Sequence, residues 1–472
     1  MKHYLGLNEF GLRQKREEWA VLYEPGRLIN SHLMLLGMSG VGKSYQSKLL
    51  IGSAAASGVE VDVFDCHDEL QSIPGAVAVK YSQATGYGYN PLVLSTDPDS
   101  GGVNRQVEFL VGLVKQTTKQ FGSKQEAVLR NLLIDVYMAR GIWADNARSW
   151  HRQCISEREH AAMLEAKRFS DLRNYYPTMT DLMSFAKRKA MALLIGGDNK
   201  CVTAFEALTK LKGRLNNLNS KWAKAHDDAE IDKIQNQIAD VKSRAVETYA
   251  AFLDAMETGR EIDDVFKYDS VDVMTSVLQR LEILAAAGIF RSNAPDFRGA
   301  NLRVHQIKSL TDDQQVMFVK LRLREIFEEV KRLGPTATGT ELRRVCFIDE
   351  APRYMVSDKD DIINVIARES RKFGLGLWCA GQEPTRFPES YASNVGCTMV
   401  LGIHSMFWKG AISNLRITED GLRYIKPKEV ISVKLQKEGQ ADPPFVNVVV
   451  PNPSNEAGRR AVEFARGHRK AA

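Results

Sequence analysis

The residues GMSGVGKS, Gly37 to Ser44, carry the spacing GxxxxGK[ST]. In that spacing the glycines allow a wide loop whose backbone N–H groups converge on phosphate oxygens, while the lysine reaches the β and γ phosphates and the hydroxyl gives an oxygen to magnesium. The loop falls between an apolar run, SHLMLLG, and a helical one, KSYQSKLLIGSAAASG, which is the context this chemistry needs. The expected ligand is ATP with Mg2+, bound by Gly37, Ser39, Gly40, Val41, Gly42, Lys43, Ser44 and Tyr45.

Hydrolysis needs a second set of groups. In VCFIDEA the apolar run Val345 to Ile348 delivers Asp349 to the carboxyl edge of a sheet, beside the loop. There Asp349 can hold magnesium, and Glu350 can act as general base on the attacking water. LGLWCAGQEP places Gln382 at a neighbouring strand end, where an amide can sense the γ-phosphate or position water. VEVDVFDCHDEL ends a strand with Asp65, Asp68 and Glu69; Asp65 is read as nucleotide-binding, against helix capping and solvation as the competing reading. IARESRKFG offers Arg368 and Arg371, either of which can stabilise transition-state charge on a neighbouring subunit's nucleotide, the alternative being a solvated helix end.

The elements that position these groups follow from pattern. At 472 residues, with 44% hydrophobic composition, the chain has material for two or three domains. No window approaches eighteen unbroken apolar residues and the first twenty residues are charged, so a membrane span and secretion are not expected; the cytoplasm is, or a peripheral place at the inner membrane. Six cysteines without CxxC or Cys/His pair spacing argue against zinc and disulfides, and read as reduced core residues. The net charge of +6 is compatible with an anionic partner without requiring one.

Residues 1–30 read as a lead-in closed by the turn Pro25-Gly26, and 31 to about 95 as strand, helix and strand. Helices are expected from Asn104, with Phe109, Leu110, Leu113 and Val114 on one face, and from Leu129 to Met138. From 141 the strand signal gives way to charged, alanine-rich helical sequence. Within it Leu208, Leu211, Leu215, Leu218, Trp222 and Ala225, then Ile231, Ile234, Ile238, Val241 and Ala245, alternate at three and four residues, which predicts an antiparallel hairpin over about 205–256. After 300 come NLRVHQI as a strand, a helix from Asp313 to Leu333, the linker GPTATGTE, and the runs RRVCFID, LGLWCAG and GCTMVLGI. Apolar runs without alternation predict a mostly parallel sheet covered on both faces, split by an all-α insertion. The expected boundaries are 1–30, 31–140 and 301–450 for the sheet domain with its lead-in, 141–300 for the insertion, and 451–472 for a tail.

GMSGVGKS, FDCHDEL, YGYNPL, FIDEAPRYM, RESRKFGLGL and CAGQEP, in that order, resemble the HerA/FtsK superfamily of motor ATPases, and RESRKFGLGL is especially similar to HerA. The helical insertion opened by YPTMTDL and closed by AAAGIF, followed by NLRVHQIKSL, is similar to the motor domain of conjugative type IV secretion ATPases. The resemblance implies a RecA-like P-loop fold, a homohexameric ring with nucleotide at subunit interfaces, an arginine finger given in trans, and movement of DNA or another polymer through the pore. The 30 residues before the first strong strand are not expected to hold the β-barrel that precedes the HerA motor, nor the large N-terminal domain of the secretion ATPases. The readings that remain are a DNA translocase, an energising subunit of a secretion or conjugation channel, and an ATPase partner of a nuclease or defence complex. Lys409, Arg416, Arg423, Lys426 and Lys428 are the basic candidates for a pore surface, with a solvated face as the alternative.

Overall fold

The computed structural model describes residues 1–118, 120–195, 199–224, 228–254, 267–338 and 341–471. The chain forms two compact units, one made of Met1–Tyr89 and Ala294–Ala472, the other of Asn90–Asn293.

The first unit is built on an eleven-stranded sheet, counted among the described residues. Its strands are β1 (His3–Asn8), β2 (Ala20–Tyr23), β3 (Leu33–Gly37), β4 (Glu60–Asp65), β5 (Val77–Lys80), β6 (Leu302–Gln306), β7 (Arg344–Ile348), β8 (Leu375–Gly381), β9 (Cys397–Gly402), β10 (Val430–Leu435) and β11 (Val446–Val449). The order is β2-β1-β11-β10-β9-β3-β8-β7-β4-β6-β5. From β9 to β5 all neighbours are parallel. From β9 to β2 all are antiparallel.

Every residue of β3, β7, β8 and β9 is buried, as continuous apolar runs in a sheet covered on both faces require. The helix α1 (Lys43–Ala56) lays Leu50, Ile51 and Ala54 on that core, where they meet Val61, Val63, Leu33 and Leu35. The helix Asp312–Arg332 buries Met317, Phe318, Leu321, Leu323, Ile326, Phe327 and Val330. Its N-cap is Thr311, whose hydroxyl accepts the Gln314 N–H while the Gln314 side chain returns to the Thr311 backbone, a capping box that fixes the helix start. The two halves of the unit, distant in sequence, thus share one sheet.

Three expectations change. Residues 1–30, read as a lead-in, supply β1 and β2, and 451–472, read as a tail, contains the helix Glu456–Ala471. Ala461 of that helix packs with Leu7, Leu12, Val430 and Val449, and Phe464 stacks on Tyr4 at 5.8 Å. The helical unit begins at Asn90, not at 141. The reason is packing: Gly102 lies against the Trp150 ring so closely that a Cβ there would sit 2.4 Å from it. The helix Ser123–Ala139 is likewise tied to the later part of the unit, through Gln125 to Ser276 at 2.8 Å and Asp135 to Lys267 at 2.6 Å. A strand signal that fades at 141 does not mark the boundary, because Val103–Thr117 and Ser123–Ala139 are already helices of the second unit.

In that unit the helices Asn199–Trp222 and Asp228–Asp254 pack on each other as the predicted hairpin, with Leu218, Ile234 and Val241 buried in the seam. Trp222 is exposed instead, and Ala225 lies outside the described residues. Of the cysteines, Cys66, Cys346, Cys379 and Cys397 are buried but Cys154 is exposed, a departure from the expected core placement. No described helix is long and apolar enough to cross a membrane.

Candidate active site

Strand register brings the sequence motifs to one edge. Leu36 is opposite Gly381 of β8 and Val400 of β9, Ile348 of β7 is opposite Cys379 of β8, and Phe64 of β4 is opposite Ile348. The loop after β3, the acidic pair after β7, Gln382 after β8 and the turn after β4 therefore all leave the sheet at its carboxyl edge, where open α/β sheets bind ligands. β8 lies between β3 and β7, so the glutamine strand separates the phosphate loop from the acidic strand.

The loop takes a shape that side chains resist: Gly40 and Gly42 have φ of +82° and +100°. Gly42 caps α1, which puts Lys43 and Ser44 in the first helical turn, with the N–H groups of that turn facing the loop. The Met38 N–H donates to the Gly402 carbonyl at 2.9 Å and anchors the loop to β9. Val41 is buried, while Ser39 is exposed and Tyr45 is 54% exposed, its ring open to whatever occupies the outer part of the site.

The Lys43 ammonium donates to Glu350 Oε1 at 2.7 Å, and Gln382 Nε2 donates to the same oxygen at 2.9 Å. Lys43 and Glu350 are only 12% and 16% exposed, so the pair is largely screened from water. Burial pushes the Glu350 carboxyl up, but the hydrogen bonds from Lys43 and Gln382 outweigh it and hold the group below the ordinary glutamate value. Glu350 also has a left-handed backbone, φ 47°, the kind of local strain that costs on the order of 1 kcal/mol and gathers at functional sites. Beside it, burial raises the Asp349 carboxyl above its usual value although Lys43 and His67 oppose that shift. The Glu350 N–H donates to Asp349 Oδ1 at 3.1 Å.

The turn after β4 behaves differently from its expected part. Asp65 is fully buried, and its carboxylate accepts the backbone N–H groups of His67 at 3.1 Å, Glu69 at 3.3 Å and Leu70 at 2.8 Å. Those three bonds make it the acceptor that shapes the turn. The residue that the turn delivers to the site is Glu69, which accepts the Ser44 hydroxyl at 2.6 Å. In sequence nothing separates Asp65 from Glu69 as pocket acids; the backbone path decides it.

Ser44 and Glu69 meet at 2.6 Å and Asp349 lies within the field of Lys43; oxygen donors of these kinds suit a hard divalent ion of the magnesium class. The arginines are elsewhere. Arg368 ends the helix Ile362–Glu369 and Arg371 precedes β8, so both stand at the amino end of a strand whose carboxyl end carries Gln382. A seven-residue strand is about 23 Å long, and neither arginine belongs to the constellation of its own chain. Arg368 is exposed, and Arg371 pairs with Glu438 at 3.1 Å.

The basic candidates also divide. Arg416 pairs with Asp442 at 3.0 Å, and Arg423 pairs with Glu419 and lies 5.4 Å over the Trp408 ring. Lys409 and Lys426 are exposed. Lys428 packs its stem against the phosphate loop, its Cγ 3.5 Å from where a side chain on Gly42 would begin.

Comparisons with known proteins give the family and the fold. The family model described as "Helicase HerA, central domain" matches residues 9–326. Among solved structures, the chain is similar to VirB4 of Thermoanaerobacter pseudethanolicus, with a TM-score of 0.56 and 15% identity over 96% of each chain. A bacterial conjugative coupling protein, TrwBΔN70, is similar at TM-score 0.48 and 12% identity, over 97% of this chain and 95% of that one. No curated protein sequence matches the chain. The fold is that of the P-loop ATPases, and since the family model covers more than half of the sequence, the chain belongs to the HerA helicase central-domain family.

Proposed function

We propose that this protein is an ATP-hydrolysing motor that acts as a ring, in the manner of a hexamer, and moves DNA. The observation that carries the reading is the single Glu350 oxygen shared by Lys43 and Gln382, three side chains from three strand ends meeting where a γ-phosphate would lie. Lys43 neutralises phosphate charge, Gln382 orients water, and Glu350 takes its proton. Ser44 and Asp349 would hold Mg2+, which would supply neutralisation of the charge that develops on the phosphates. The left-handed strain at Glu350 supports the same assignment, since it fixes the carboxylate in place before substrate arrives.

With Arg368 and Arg371 at the opposite end of β8 from Gln382, either would serve as a finger only toward another subunit's nucleotide. That requirement supports a closed assembly with sites between neighbours, and family membership supports DNA as the cargo. Energising a secretion or conjugation channel, or gating a nuclease partner, is the other use of the same engine.

The test is hydrolysis by the purified protein with and without double-stranded and single-stranded DNA, at low and moderate salt, with Glu350→Gln as the control. Several-fold stimulation by DNA that weakens as salt rises supports the motor, because phosphate contacts release counterions. Hydrolysis indifferent to every DNA tested overturns DNA as the cargo. No hydrolysis under any condition overturns the ATPase.

A further inference from the structure

Beside the phosphate loop, Cys66, His67 and Asp349 bring a sulfur, an imidazole nitrogen and a carboxylate oxygen within 4.8 Å of one another. Two neighbouring residues and one 282 positions later meet because β4 and β7 are adjacent parallel strands, with Phe64 opposite Ile348 and the Asp349 N–H donating to the Phe64 carbonyl at 3.2 Å. No spacing rule finds such a cluster, since its third member arrives through the sheet.

The Cys66 thiol lies 3.7 Å from Asp349 Oδ2. In a tetrahedral zinc site, with Zn–S about 2.3 Å and Zn–O about 2.1 Å, adjacent donors stand roughly 3.6 Å apart. The pair is thus already at ligand separation. The His67 imidazole is exposed, with a ring nitrogen within 4.8 Å of both the sulfur and the carboxylate oxygen. The backbone beneath it is fixed, because Asp65 accepts three N–H groups of the turn, so the cysteine and histidine are held at the mouth of the site. Three protein donors leave a fourth position for water, the composition of an open transition-metal site.

We infer that Cys66, His67 and Asp349 form a binding site for a borderline-soft divalent metal of the zinc class, and that loading it stops hydrolysis by drawing Asp349 away from magnesium. Thiolate and imidazole select zinc over magnesium, whatever the excess of the latter. The step is ligand exchange: the Cys66 S–H bond breaks, its proton goes to solvent, the S–Zn bond forms, and no electron is transferred. The binding half stands on this geometry alone; the inhibitory half rests on the reading given under Proposed function.

The site is tested on the full chain without nucleotide, by titration with cobalt(II) as a spectroscopic stand-in for zinc. A thiolate-to-cobalt charge-transfer band in the near ultraviolet is expected, lost in Cys66→Ser and weakened in His67→Ala, a surface variant that leaves the fold undisturbed. A band that survives Cys66→Ser, or no band at all, overturns the site. Inhibition is read as hydrolysis at millimolar magnesium with and without micromolar free zinc, each variant compared with its own zinc-free rate. The wild type is expected to lose at least tenfold and Cys66→Ser less than twofold; equal losses overturn the inhibitory role. If no form hydrolyses ATP, the cobalt spectrum still decides the site, and the failure belongs to the ATPase reading.

Discussion

Glu350 receives hydrogen bonds from Lys43 and Gln382 at one oxygen, so its charge is neutralised by the Lys43 cation. Under the proposed mechanism an entering triphosphate competes for Lys43 and frees the carboxylate to act on water. From this follows a division of effects. Lys43→Ala is expected to lose nucleotide affinity, whereas Glu350→Gln keeps it and loses turnover by about a hundredfold or more, checked by fluorescent-nucleotide binding alongside phosphate release. Because hydrogen bonds hold the Glu350 carboxyl below its ordinary value, the proposed base stays ionised in the nucleotide-free protein through the weakly acidic range. Gln382→Ala removes one of those bonds to the charged form. The acid limb of kcat/KM is then expected to move to higher pH, and an unmoved limb would separate Gln382 from the base.

Two buried histidines tie the elements that carry these residues. His32, just before β3, accepts the Leu377 N–H of β8 on Nδ1 at 2.9 Å and donates from Nε2 to the Ala367 carbonyl at 3.1 Å. His305 of β6 accepts the Tyr81 hydroxyl at 2.9 Å and donates to Asp62 at 3.1 Å. Both networks need the neutral imidazole, and burial lowers each to about 4. The unfolded chain takes up these protons near pH 6.5 and the folded chain only near 4, so stability is full above 6.5 and falls across the window between the two. Between pH 7 and pH 5 each histidine is expected to cost about 2 kcal/mol, read as a drop in the urea midpoint. Asp62 holds the neighbouring charges together: it accepts from Arg344 at 2.8 Å and from Arg303, and is itself fully buried. Asp62→Asn removes the buried carboxylate between them and leaves Arg344 to Glu329 and Arg303 to Glu60, partners nearer the surface, an expected loss of about 2–3 kcal/mol in the same measurement.

At the scale of the molecule, Gln382 follows the carboxyl end of β8 and Arg371 precedes its amino end, so the proposed base and the proposed finger stand at opposite edges of one chain. On the proposed ring, Glu350→Gln subunits still lend arginines, and subunits lacking Arg368 and Arg371 still hold a working base. Each variant alone is expected to be inactive, and a mixture of the two to regain hydrolysis; mixtures as inactive as their parts would place the finger in another residue. The antiparallel side of the sheet, β10-β11-β1-β2, and the edge strand β5 were not legible in sequence. β2, β5 and β11 have four residues each and are partly exposed, so they carry too few apolar residues to stand out from loops, while β1 (HYLGLN) and β10 (VISVKL) are six residues long but interrupted by polar residues or glycine.

The sequence by itself determined the local chemistry: a glycine loop whose φ values exclude most side chains, four apolar runs that only a doubly covered sheet can bury, and an acidic pair and an amide at the strand ends. These are properties of residues within a few positions of one another, where periodicity and motif spacing act. Tertiary structure alone decided which acid meets which partner. It turned Asp65 into the scaffold of a turn and sent Glu69 to Ser44, set β8 between β3 and β7, placed the arginines at the opposite edge, and joined Cys66 and His67 to Asp349. Strand order and register set those meetings, through hydrogen bonds between segments hundreds of residues apart, and short-range pattern carries no record of them.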